Sequence, residues 1–273
     1  MKKVIDTNSK FSKFFKPFYQ KLIYPKGKSH IVMIFGAQRS GTTLISRTFD
    51  SFKFSRVFGE FSELSNECPL GLRLKSVASI KKIFSKVHAP LIVMKPLVES
   101  QNAKYILDEF PNATGLWIYR NYKDVAESAL KQFPSTKGVG NLLPILNNEQ
   151  DNWRNDSLPE DLRAIVSDVY EENFSNYECA CLFWYVRNYL FFSQGLDKHE
   201  RVQVWEYESL LADPKYFFSA LGEKIEIKLD ENRLFEDYSD SSVNKQSNLE
   251  IRSDLKQLCE HMLDKLKNES GKI

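Results

Sequence analysis

The segment 36–43 reads Gly-Ala-Gln-Arg-Ser-Gly-Thr-Thr and has the composition of an anion-binding loop. It follows an apolar run and precedes a helical pattern of apolar residues, so a strand–loop–helix unit is predicted. In such a unit, backbone N–H groups and the helix dipole favour a bound anion, whereas an ordinary glycine turn is the alternative. The spacing of Gly36 and Gly41 is that of a P-loop, but Thr42 occupies the lysine position. ATP hydrolysis is therefore disfavoured, and the cation of this loop is Arg39.

Short apolar runs that alternate with helical patterns indicate the scaffold that positions this loop. The runs lie at 31–35, 91–94, 115–119 and 202–205. Such runs are typical of parallel strands buried on both faces, and helices between them indicate an α/β fold with a doubly wound sheet. The chain has 273 residues, of which 42% are hydrophobic and 27% charged, which excludes disorder and fibrous repeats. We expect one domain, in which 134–160 form a long loop and 249–266 form a C-terminal helix.

Two segments resemble the phosphate-binding motifs of the sulfotransferase family, which uses 3′-phosphoadenylyl sulfate (PAPS). Residues 39–43 are similar to the Arg-Ser-Gly-Thr-Thr version of the family's 5′-phosphosulfate loop, as in tyrosylprotein-type and many bacterial enzymes. Residues 120–128 are similar to its 3′-phosphate motif: Arg120 and Ser128 keep their spacing of eight, while Asn121 and Tyr122 replace Asp and Pro. Arginine makes charge-assisted, often bidentate bonds to phosphate, although Arg120 alone would also suit a surface ion pair.

Weaker matches extend the resemblance along the chain. Lys95-Pro96 resembles the family's Lys-Asp-Pro or Lys-Ser-Pro element, 207–214 resembles its Tyr-Glu-x-Leu-x-x-x-Pro segment, and 241–247 its late Ser-x-x-x-Lys loop. The resemblance implies a P-loop NTPase-like sulfotransferase fold. This fold is a single α/β domain over 29–273 with a central parallel β-sheet flanked by helices.

The resemblance also implies roles for individual residues. The cofactor-binding residues that it implies are Arg39, Ser40, Gly41, Thr42, Thr43, Arg120, Ser128, Tyr207, Ser242 and Lys245. Arg39 and Lys95 would stabilise the departing phosphate, and Glu60 stands where tyrosylprotein-type enzymes carry the catalytic base. A difference of one residue in length leaves Glu63 open, and a solvent-exposed side chain is the plain alternative for Glu60. PAPS would be the co-substrate and 3′-phosphoadenosine 5′-phosphate (PAP) the product.

The acceptor implied by the resemblance is a hydroxyl compound, and we expect a carbohydrate or glycolipid, with other lipid-linked or small molecules open. Its pocket is expected from the loops 60–90 and 133–180. No metal is expected, because the four histidines are isolated in the sequence. A P-loop-type small-molecule kinase is the rival enzyme, weakened by Thr42 and by the absence of an evident Mg²⁺-binding acid. A non-catalytic nucleotide-binding protein of the same fold is the third alternative, but it would not need Arg39, Glu60 and Lys95 together.

The N-terminal segment 1–28 is basic and amphipathic, and we expect it to lie outside the domain proper. Residues 1–30 carry eight lysines and one acid, whereas 149–178 carry nine acids and two arginines. Aromatic and leucine residues recur on one helical face at Phe11, Phe14, Phe15, Phe18, Tyr19 and Leu22. We expect this face to pack on the domain, and peripheral contact of 10–28 with an anionic membrane is the alternative. Pro17 argues against a continuous helix.

The lengths of the apolar runs and the spacing of the cysteines predict where in the cell the protein is located. Its apolar runs are far shorter than the roughly 18 residues that span a bilayer, and no signal-type apolar segment follows the first Met. The four cysteines fit neither a disulfide framework nor a zinc ribbon. We therefore expect a cytoplasmic protein, with peripheral membrane contact as the open alternative and no nucleic-acid partner.

Overall fold

The computed structural model describes residues 7–66, 72–134, 138–229 and 250–270, and side chains from residue 15 onward. The strands within these residues are β1 His30–Gly36, β2 Ser55–Phe58, β3 Leu91–Met94, β4 Ala113–Tyr119 and β5 Val202–Glu206. They form one parallel sheet in the order β2-β3-β1-β4-β5, with Ile31 of β1 paired to Ile92 on one side and Ala113 on the other. The prediction of an α/β domain with a central parallel sheet is confirmed.

Helices connect the strands and cover both faces of the sheet. They are α1 Thr7–Ile23, α2 Thr42–Ser51, α3 Val77–Phe84, α4 Ala103–Glu109, α5 Tyr122–Gln132, α6 Leu143–Leu146, α7 Glu160–Val169, α8 Asn176–Ser193, α9 Tyr207–Ala212, α10 Pro214–Lys224 and α11 Ser253–Glu269. Short 3₁₀ segments lie at Leu97–Asn102, Val139–Asn141 and Leu196–Lys198. No helix in the described part of the chain is long and apolar enough to cross a membrane.

Two apolar cores lie on opposite faces of the sheet, which explains the apolar runs of β1, β3 and β4. Alternate residues of β1 point to each core: Met33 belongs to the larger core and Ile34 to the smaller one. The larger core contains α8, and the smaller one contains Phe49 of α2 and Phe218 of α10. Because successive side chains of a strand point to opposite faces, a strand covered on both sides has no polar alternation.

Helix α8 lies almost entirely in the larger core and is held by polar contacts as well as apolar packing. Ser175 and Glu178 form a capping box at its N-terminus. The fully buried Arg187 donates to Gln101 Oε1 at 3.0 Å and to the Leu97 carbonyl at 2.6 Å. These two acceptors tie Arg187 to the segment that follows β3 and offset part of the cost of burying its charge.

Helix α1 differs from both sequence-based expectations for the N-terminal segment. It runs through Pro17 without a break, so the expected interruption there is wrong. Contacts of Lys16 and Gln20 with residues 50–55 hold the helix on both sides of the proline, which offsets the lost backbone hydrogen bond. The expectation that the aromatic face packs on the domain is also wrong for the described side chains, because Phe18 and Leu22 are exposed. The division of the chain into 1–28 and 29–273 stays a prediction.

Candidate active site

The carboxyl ends of the five described strands meet at one edge of the sheet and bring the predicted site together. In parallel α/β sheets this edge is where ligands bind. The loop 37–41 follows β1, and the residues that follow the other strands are Glu60 after β2, Lys95 after β3, Arg120 after β4 and Tyr207 after β5. Sequence spacing therefore selected residues that the fold makes neighbours.

The loop between β1 and α2 is a cradle that only glycine permits at two positions. Gly36 has φ 130°, and a Cβ there would lie 2.3 Å from the Ile118 carbonyl oxygen. Gly41, at the N-terminus of α2, has φ 83°, and its Cβ would lie 2.0 Å from Tyr207 Cδ2. Ser40 is fully buried, and its Oγ has no hydrogen-bond partner among the residues that the structure describes. A buried orphan hydroxyl beside a helix N-terminus fits a phosphate or sulfate oxygen.

Arg39 and Ser128, taken from two separate motifs, contact each other directly. Arg39 Nε donates to Ser128 Oγ at 3.0 Å. Both residues line a cleft of about 280 Å³ together with Arg120 and Asp124. Burial and, second, the positive charge of Arg120 lower the pKa of Arg39. The two positively charged guanidinium groups repel each other, and a bound anion such as a nucleotide phosphate would offset this repulsion.

Arg120 is held by neighbours on three sides at the end of β4. Its Nη2 lies 3.5 Å from Asp124 Oδ2, and its Nε lies 3.8 Å from Glu208 Oε1. The centre of its guanidinium is 4.9 Å from the Tyr207 ring centroid, a cation–π distance. Tyr207 therefore lies between Gly41 and Arg120, and it couples the loop after β1 to the motif after β4.

The two departures from the family motif at 121 and 122 are compensated by packing and capping. Asn121 Oδ1 accepts the Lys123 N–H at 3.0 Å and so caps α5. Tyr122 is buried against Trp184 of α8, at 5.7 Å between ring centroids. Trp184 Nε1 also donates to the Arg120 carbonyl at 3.0 Å. The turn is thus fixed by α8 instead of by a proline ring.

Lys95 joins the loop after β1 to the predicted base. Its Nζ donates to Thr43 Oγ1 at 3.1 Å and lies 3.0 Å from Glu60 Oε2. The Lys95 side chain is 8% exposed and that of Glu60 is 22% exposed, so the lysine is shielded from water while the glutamate is partly accessible. Glu63, by contrast, lies 3.5 Å from Arg56 and is 55% exposed. Of the two candidate carboxylates, Glu60 is the one that contacts Lys95 beside the loop after β1.

Sequence reasoning did not select two acids that support Arg120. Glu208 Oε1 accepts the Asn121 N–H at 3.2 Å, and Asp124 pairs with Arg120 from α5. Burial raises the pKa of Glu208. Both acids lie inside the segments that resemble the family motifs, so their position was a usable signal. Ser242 and Lys245 lie outside the described residues.

The chain is similar to several solved sulfotransferase structures at low sequence identity. The sulfotransferase domain of the olefin synthase of Synechococcus PCC 7002 is 15% identical and covers 88% of this chain and 96% of its own, with a TM-score of 0.45. A sulfotransferase from Alicyclobacillus acidocaldarius is 17% identical over 88% and 92%, with a TM-score of 0.48. The sulfotransferase domain from the curacin biosynthetic pathway is 13% identical over 86% and 98%, with a TM-score of 0.49.

The sequence itself matches a family across most of its length. None of the curated proteins is significantly similar to the chain. The family model described as "Sulfotransferase domain", however, matches residues 29–271, which include the loop after β1 and the residues Glu60, Lys95, Arg120 and Tyr207 that follow the other strands. The chain therefore belongs to the sulfotransferase domain family.

Proposed function

We propose that the chain transfers the sulfuryl group of PAPS to a hydroxyl of an acceptor by in-line displacement. The observation that carries this proposal is the position of Lys95, whose ammonium group contacts both Thr43 of the anion-binding loop and Glu60. A sulfuryl donor supplies an electrophilic sulfur and a phosphate leaving group, so catalysis needs a cation at the leaving oxygen and a base at the acceptor. Lys95 and Glu60 meet this requirement side by side.

The phosphates of the nucleotide are assigned to two groups of residues. Backbone N–H groups of 40–43, the orphan Ser40 hydroxyl and Arg39 would hold the 5′-phosphosulfate at the N-terminus of α2. Arg120 and Ser128 would hold the 3′-phosphate, because both line the cleft of about 280 Å³. Tyr207 packs on both groups and borders the nucleotide. Ser242 and Lys245 are proposed to complete the 3′-phosphate site on the resemblance of their segment alone.

Glu60 is proposed to accept the acceptor's proton while the new O–S bond forms. The proton then resides on the carboxylate, and the negative charge that leaves with PAP is stabilised by Lys95 and Arg39. The ion pair with Lys95 keeps the carboxylate beside the loop, where a reacting hydroxyl must lie. Glu63 has no such contact in the described structure, so we assign the base to Glu60.

A carbohydrate or glycolipid is the proposed acceptor. Phe61, directly after Glu60 in the sequence, is 79% exposed, so its aromatic ring is accessible to an acceptor. Small-molecule sites commonly pair such apolar rings with a few polar groups that fix orientation. A sugar ring offers both an apolar face for Phe61 and hydroxyls for Glu60.

A screen of sulfate transfer tests this function. Radiolabelled PAPS is incubated with glycans, glycolipids, phenols and peptides, with Lys95→Met as the matched inactive control. We expect label on a hydroxyl acceptor with the native chain and none with the variant. Calorimetry without Mg²⁺ should show PAP binding at micromolar concentration, the usual range for enzyme substrates. Tighter binding of ATP–Mg²⁺ than of PAP would favour the kinase, and PAP binding without transfer to any acceptor would favour the non-catalytic binder.

A further inference from the structure

Helix α1 is attached to the domain through its polar side. Lys16 Nζ donates to the Asp50 carbonyl at 2.7 Å. The side-chain amide of Gln20, which is 3% exposed, donates to the carbonyls of Lys53 at 2.9 Å and Ser55 at 2.8 Å. A surface helix ordinarily turns its apolar stripe toward the core, so α1 has the inverse orientation.

The apolar side chains of α1 consequently face away from the domain. The exposed fractions are 47% for Phe15, 63% for Phe18, 41% for Tyr19, 69% for Leu22 and 56% for Ile23. At 100° per residue these five positions fall within an arc of about 140° on the helix. Single exposed apolar residues are common, but a contiguous stripe of aromatic and aliphatic side chains marks a contact surface.

The surroundings of this stripe are basic. Lys21, Lys26 and Lys28 are exposed within and just after α1. Lys21 also lines a cavity of about 340 Å³ with Arg56, Lys86 and one acid, Glu63. Within residues 1–30 the balance is eight lysines to one acid. An apolar stripe flanked by lysines is the pattern of helices that lie in the plane of an anionic bilayer surface.

We infer that α1 is a membrane-surface anchor whose partner is an anionic lipid bilayer. A second copy of the chain is the less suitable occupant, because a two-fold contact would bring the same lysines of both copies together. A bilayer satisfies both features, since its acyl region takes up Phe18 and Leu22 while its headgroups attract the lysines.

Helix α1 contacts the amino end of β2, whereas the proposed site lies at the carboxyl ends of the strands. Glu63, three residues after Glu60, lines the same cavity as Lys21. Lipid binding through α1 therefore does not depend on the proposed function.

Co-sedimentation with vesicles tests the anchor. The full chain is mixed at low salt with phosphatidylcholine vesicles, with and without phosphatidylserine. We expect it to pellet with the anionic vesicles and to be released as salt rises. The variant Phe18→Glu/Leu22→Glu should lose about tenfold in partition for each removed side chain. Tyr105→Glu, which alters a 60% exposed aromatic residue on α4, is the matched control and should bind as the native chain does.

The possible failures are distinguishable. Because Phe18 and Leu22 are exposed, the variant should keep the native melting temperature and PAP affinity, so loss of lipid binding is not loss of fold. Recovery of the native chain in the supernatant with anionic vesicles would overturn the inference. A native dimer in light scattering that Phe18→Glu/Leu22→Glu converts to a monomer would assign the stripe to a second copy instead. Lipid binding without transfer activity would leave the anchor intact and remove only the proposed function.

Discussion

Replacement of Glu60 by glutamine separates the proton-accepting role of this residue from the binding of the nucleotide. Glu60 Oε2 lies 3.0 Å from Lys95 Nζ, and a glutamine amide oxygen can accept from the same ammonium group. The Lys95 contact with Thr43 at 3.1 Å does not involve Glu60. We therefore expect Glu60→Gln to retain PAP affinity and to lose turnover.

The magnitude follows from the role and from the burial of the pair. A general base contributes about 10²–10⁴-fold, so the activation barrier should rise by about 2.7–5.4 kcal/mol. Glu60→Gln also removes the countercharge of Lys95, which is only 8% exposed. Leaving a buried ammonium group with a neutral partner costs about 1–3 kcal/mol of folding stability. Because PAP affinity is retained, saturating PAP should stabilise the native chain and Glu60→Gln by the same amount and leave this difference unchanged.

Single-turnover transfer from PAPS to the best acceptor of the screen measures the rate, and thermal unfolding with and without PAP measures the stability. Glu63→Gln is the matched control, since Glu63 is 55% exposed and pairs with Arg56 instead of Lys95. It should keep the native rate and melting temperature. Native turnover in Glu60→Gln, or a larger loss in Glu63→Gln, would refute the assignment of the base.

Three further outcomes are expected. Arg120→Ala should weaken PAP binding in calorimetry by about 10–100-fold, the value of a hydrogen bond to a charged group, with a smaller effect on turnover at saturating PAPS. Gly41→Ala should lower the melting temperature and PAP affinity, because the φ of Gly41 is 83° and a Cβ there would lie 2.0 Å from Tyr207. Gly59→Ala should be near neutral, because a Cβ there would have no atom of the described residues within 4 Å apart from its chain neighbours. Burial raises the pKa of Glu208, so the stability contributed by its protonated form is present below the ordinary carboxyl pKa and is lost as pH rises through the raised value. Glu208→Gln should flatten that part of the pH dependence of stability, measured by urea unfolding. An unchanged pH profile would contradict this prediction.

The strands that sequence reasoning predicted are those whose burial on both faces leaves a continuous apolar run. All four predicted runs became strands. The fifth strand, β2, was missed because it has four residues at the edge of the sheet and reads Ser-Arg-Val-Phe. Arg56 and Val57 are only partly buried there, so neither an apolar run nor a clear alternation results.

Helix α8 was missed because nearly all of its sides are buried. An amphipathic pattern reports the difference between a buried and a solvated face, and a helix enclosed by protein has none. Its polar residues are internal: Arg187 donates to Gln101, and Asn188 accepts from Trp117. The capping box of Ser175 and Glu178 was the local signal that could have located its start. The hydrogen bond from Trp184 to the Arg120 carbonyl could not be predicted for the same reason, because it depends on how α8 packs.

The residues of the proposed site, Lys95 included, could be named from the sequence, but the ion pair between Lys95 and Glu60 could not. In a P-loop the lysine belongs to the loop itself, and its spacing is visible in the sequence. Here the corresponding Thr42 is buried, and Lys95 reaches Thr43 from the end of the neighbouring strand β3. The loop geometry alone is thus compatible with a kinase or a sulfotransferase. The proposed function rests instead on a cation that comes from β3 and is already paired with a carboxylate, an arrangement that exists only after the sheet has formed.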